Sequence, residues 1–168
     1  RCRRGMLEND LVLARFLDAR GAALGEDEVA MLDVLLDLSR RLRAAGVRRV
    51  RVDTDGLASL REGKDVAPLL AAAGVDAISI SLNAPDAETY ARICPSRYGA
   101  SAYEAVKAFI RSCVGTLPDV AASAVALPGL AEADCRRVAE ALGARFRWRP
   151  YDRLGRIEGG DESGPRAP

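Results

Sequence analysis

Apolar residues recur along this chain with two periods, one of three to four residues and one of two, and the switches between them mark out the elements. From Met6 to Asp18, Leu7, Leu11, Ala14 and Leu17 fall on one stripe, widened by Val12, Leu13 and Phe16, which predicts a helix. Gly21 and Gly25 punctuate the chain, and a second helix opens on Glu26, Asp27 and Glu28, whose charges suit a helix amino terminus. Its stripe is Val29, Leu32, Leu35, Leu36 and Leu42, and it closes on Arg40, Arg41 and Arg43 ahead of Gly46, a carboxyl-cap residue. The first part of the chain therefore reads as a helical hairpin.

Beyond Gly46 the pattern alternates between the two periods. Val47, Val50 and Val52 make a short strand that ends in the turn-forming Asp53-Thr54-Asp55-Gly56. A helix over Pro68 to Ala73, a strand over Ala77 to Leu82 and a helical turn over Pro85 to Ile93 follow. Ser101 to Val114 is a clear helix, with Ala102, Ala105, Val106, Phe109 and Ile110 on one side. A strand over Val120 to Leu127, a helix over Glu132 to Leu142 and a strand over Phe146 to Pro150 complete the series. Four strands separated by helices imply parallel βαβ units and an α/β fold. In the third of these segments Ile78, Ile80 and Leu82 oppose Ser79, Ser81 and Asn83, so small polar groups share one face and Asn83 sits at the strand's carboxyl end. In parallel α/β folds that end is where ligands bind.

A length of 168 residues suffices for one ordinary domain, or for a small domain fused to a fragment of another. Hydrophobic residues at 49% can build a core, and aromatics at 5% leave it to Ala, Val and Leu. A net charge of +1 argues against a general nucleic-acid binder, and the basic cluster from Arg40 to Arg51 reads as a helix end with snorkelling arginines. No apolar run reaches the roughly twenty residues of a membrane span. Nothing resembles a secretory signal, so no membrane insertion and a cytoplasmic location are expected. The chain opens on Arg1 rather than Met, which leads us to expect an upstream portion. With no histidine, Ser-His and Cys-His catalysis are excluded. Cys2, Cys94, Cys113 and Cys135 are widely scattered, which fits free thiols and not a structural metal site.

The segments RVDTDGLASLREGKDVAPLL, VDAISISLNAPDAETYARICPSRYG, VALPGLAEADCRRVAEALG and FRWRPYDRLG resemble the radical S-adenosylmethionine enzymes, most closely the TatD-family-associated group. The resemblance spans about residues 35–153 and implies a partial parallel (β/α) barrel. It also implies a [4Fe-4S] cluster held by a CxxxCxxC loop, with S-adenosylmethionine on the open iron. On that mapping Thr54, Asp55 and Gly56 end the family's third strand. Ser79, Ser81 and Asn83 lie on the fourth, where the cofactor's sugar and methionine portions are contacted; Val125 and Leu127 flank the adenine, and Arg149 ends the sixth. The family more often has Asn where this chain has Asp53 or Asp55. This chain contains neither CxxxCxxC nor the glycine-rich segment after the second strand, so catalysis by this chain alone is not expected. Each position also has a plain structural reading. Ser79 and Ser81 are small residues for a crowded barrel interior, Asn83 an Asx turn before Pro85, Asp53 and Asp55 turn-shaping residues, and Arg149 an exposed stem. Cys94, unpaired in a loop, reads as inert.

The first 38 residues resemble a different family. RCRRGMLENDLVLARFLDARGAALGEDEVAMLDVLLDL is similar to the opening of the succinate dehydrogenase flavinylation factors of the SdhE type, with Arg4, Gly5 and Glu8 matching their Arg-Gly-x-x-Glu signature. That resemblance implies a surface that docks on a succinate dehydrogenase or fumarate reductase flavoprotein and promotes covalent attachment of FAD to the partner's histidine. Without it, Glu8 reads as a group at a helix amino terminus among solvated arginines.

MLDVLLDLSRRLRAAG satisfies both resemblances, since each places an amphipathic helix there. The expected division is a flavinylation-factor-like helical segment over 1–38, a radical S-adenosylmethionine-like partial barrel over 39–153 and a disordered tail over 154–168. Three functions stay open: one wall of a radical enzyme, a flavin-attachment assembly factor, and an inactive composite of the two. Whether the chain is an enzyme stays open with them.

Overall fold

The computed structural model describes residues 10–15 and 27–151. Five parallel strands lie side by side in chain order: β1 (Asp10–Arg15), β2 (Arg49–Thr54), β3 (Ala77–Ser81), β4 (Asp119–Val125) and β5 (Arg145–Arg149). They alternate with α1 (Asp27–Ala44), α2 (Ala58–Glu62) and α3 (Ala67–Ala72). After β3 come α4 (Ala87–Ile93) and α5 (Ser101–Val114), and after β4 comes α6 (Glu132–Ala141). The expected α/β partial barrel is thus present.

The helix expected over Met6 to Asp18 is not. Asp10–Arg15 is a strand, paired with β2 from Asp10 opposite Arg49 to Leu13 opposite Val52. A short apolar run such as Leu11-Val12-Leu13 carries no period of its own, and the free backbone edge of β2 supplies the partner that decides it. The second arm of the expected hairpin is α1, and the tail over 154–168 lies outside the described residues.

Sequential parallel order has a consequence for the two sheet faces. Crossovers of one hand between strands that never reverse order place their helices on the same side. Alternation then divides the strands by parity. Even-numbered residues, Val50, Val52, Ile78, Ile80, Val120, Ala122 and Phe146, join one apolar cluster with the helices, which bring Leu32, Leu35, Leu36, Leu70, Val106, Phe109 and Ile110. The odd-numbered residues occupy the other face: Arg51 opposite Ala77, then Asp53, Ser79, Ala121 and Arg145 in one row, and Ser81, Ser123 and Arg147 in the next. Ala77 and Ala121 are buried yet stand outside the helix-side cluster.

α5 shows why the helices form where they do. Its apolar stripe buries Ala102, Tyr103, Val106, Phe109, Ile110 and Cys113, while Glu104 sits in the first turn and Arg111 in the last, each sign at the dipole end that favours it. α4 is held at its start by Asp86, whose carboxylate accepts from the Thr89 backbone N–H at 2.7 Å and the Thr89 hydroxyl at 3.0 Å.

Candidate functional site

At the carboxyl ends of β2 to β5 the odd-numbered face forms a cavity lined by Asp53, Thr54, Ser79, Ser81, Ser123, Arg147 and Arg149. The strands deliver these groups through register alone, because Ser81, Ser123 and Arg147 are paired neighbours across three strands and Arg149 pairs with Val125 one row further. The enclosed part of the cavity measures about 20 Å³, room for about one water molecule, and it opens to solvent.

Within the lining Asp53 accepts from Arg51 at 2.9 Å. A second cluster, in which Asp119 is bound by Arg49 at 2.5 Å and by the Arg145 guanidinium, stands at the opposite, amino ends of β2, β4 and β5. Ser79 is 6% exposed and Ser123 2%, and both line the cavity. The Ser123 hydroxyl lies 3.5 Å from the Ile80 carbonyl, at the limit of a hydrogen bond.

Thr54, Ser79, Ser81 and Arg149, all singled out by sequence, therefore share one cavity, whereas Asp55 and Asn83 do not line it. Asp55 is taken up locally: it accepts from the Leu57 backbone N–H at 3.0 Å and from Arg61 at 2.8 Å, which starts α2. Asn83 adopts φ 58°, a left-handed conformation that Asn tolerates better than most residues. It makes no Asx turn with Pro85, which lacks an N–H. Its backbone N–H donates to the Ser123 carbonyl at 3.0 Å, its amide nitrogen donates to the Cys94 sulfur at 3.3 Å, and its side-chain oxygen is buried without a hydrogen-bond partner among the described residues. Val125 pairs beside Arg149, and Leu127 lies in the turn after β4. Sequence reading missed Ser123 and Arg147, whose place in the wall depends on pairing between strands distant in sequence.

The three described cysteines do not gather into a metal-ligating group. Cys113 on α5 and Cys135 on α6 are fully buried, and burial pushes their thiols up to about 12 and about 11. Burial also raises the Cys94 thiol, and the Asn83 amide pulls the other way. A cluster needs three converging thiolates, and no group of three metal-ligating side chains occurs among the described residues. The cysteines present there do not fit the iron–sulfur cluster expected from the family resemblance. Among the described residues no helix is long and apolar enough to cross a membrane.

Arg4, Gly5 and Glu8 lie outside the described residues. The family described as the flavinator of succinate dehydrogenase matches residues 1–40, a span that holds those three positions and the first fourteen residues of α1. No curated protein matches the chain.

Proposed function

We propose that this chain is an assembly factor for covalent flavin attachment, acting in the cytoplasm on a succinate dehydrogenase or fumarate reductase flavoprotein. The observation that carries this reading is the flavinator match over residues 1–40, which includes Arg4, Gly5 and Glu8. The chain has no histidine, so its role is that of a docking surface and the flavin bond forms on the partner's own histidine. α1 supports docking within the matched span: Val34 is 56% exposed and Leu38 40%, four residues apart on one side of the helix. The test is co-purification with the flavoprotein subunit and in-gel fluorescence of covalently bound flavin. Arg4→Ala and Glu8→Ala each abolish the gain in covalent flavin, and variants that match the parent chain refute the reading.

The shared cavity favours a second reading, in which the sheet retains one wall of a site of the radical S-adenosylmethionine type. Thr54, Ser79, Ser81 and Arg149 would hold the polar groups of the cofactor, and hydroxyl and guanidinium donors suit a carboxylate and a ribose. No radical step is assigned to this chain, since the three described cysteines do not converge. Calorimetric titration with S-adenosylmethionine tests the wall, and iron and sulfide analysis after anaerobic reconstitution tests for the cluster.

A further inference from the structure

We draw no further inference here: the strongest candidate, the odd-numbered face of the sheet, where Ala77, Ser79, Ala121 and Ser123 lie buried on β3 and β4, carries nothing because nothing among the described residues shows what covers it.

Discussion

Gly56 ties the stability of the sheet to the geometry of its carboxyl end, and replacing it by alanine tests that tie. The residue follows Thr54 and Asp55 at the end of β2 with φ 83°, and a Cβ built there would lie 2.7 Å from Ile80 Cγ2 and 3.2 Å from Val106 Cγ1. Neither neighbour can retreat, because Ile80 and Val106 are both 0% exposed. Two costs add. The left-handed backbone costs a non-glycine residue about 1–2 kcal/mol, and forcing a methyl into a filled core costs about 1–3 kcal/mol more. Gly63 supplies the control: its φ is 63°, and a Cβ there meets nothing within 4 Å, so Gly63→Ala carries the backbone cost alone. Any gain from a stiffer unfolded chain is common to both substitutions and cancels. Urea unfolding followed by far-ultraviolet circular dichroism should therefore place Gly56→Ala below Gly63→Ala by about 1–3 kcal/mol, a large share of the roughly 5–15 kcal/mol that holds a typical domain together. Equal losses in the two variants would show that the α2 entry does not press on β3 as described.

Asp86→Ala removes the cap of α4, and far-ultraviolet circular dichroism of the variant should show reduced helicity. The Thr89 backbone N–H holds the Asp86 carboxyl below its ordinary range, so its contribution is present above that range and is lost as pH falls through the lowered value. The acid limb of a stability–pH profile should consequently be shallower in the variant than in the parent. On the alkaline side the signs reverse. Burial pushes the Cys113 thiol and the Tyr103 hydroxyl each up to about 12, so the folded state holds both protons more tightly than the unfolded chain. Their stabilisation is complete below the ordinary thiol and phenol values and disappears as pH rises toward 12; unfolding midpoints that stay constant from pH 9 to 11.5 would contradict this. The same burial predicts that a thiol reagent labels Cys94 before Cys113 and Cys135, which should react only after denaturant is added.

The elements legible in the sequence were those whose own period outweighs their surroundings. α5 carries its stripe over four turns and was predicted with the boundaries it has; β3 was readable because Ile78 and Ile80 alternate with Ser79 and Ser81. β1 was misread because Leu11 to Leu13 suits either state, and a β2 edge more than thirty residues away decides it. α2 is five residues long and begins on an Asp55 contact, too short to show a period. The same distinction governs the site. Ser79 and Ser81 stand out within one strand, while Ser123 and Arg147 become their neighbours only through pairing with β3 and β4.

α1 belongs both to the matched span and to the layer of helices that covers the sheet. The flavinator match ends at residue 40, inside a helix that continues to Ala44. On its inner side Leu32, Leu35 and Leu36 are buried in the cluster that covers β2, and Ser39, wholly buried, returns its hydroxyl to the Leu35 carbonyl at 2.8 Å. On its outer side Val34 and Leu38 remain exposed. A partner that docks on the outer side therefore meets a surface fixed by the sheet, and ordering the helix costs the complex little because the core has already ordered it. Cutting the chain after residue 40 would strip Val50 and Val52 of the leucines that cover them, so the described part of α1 that lies within the matched span belongs to the core of the sheet.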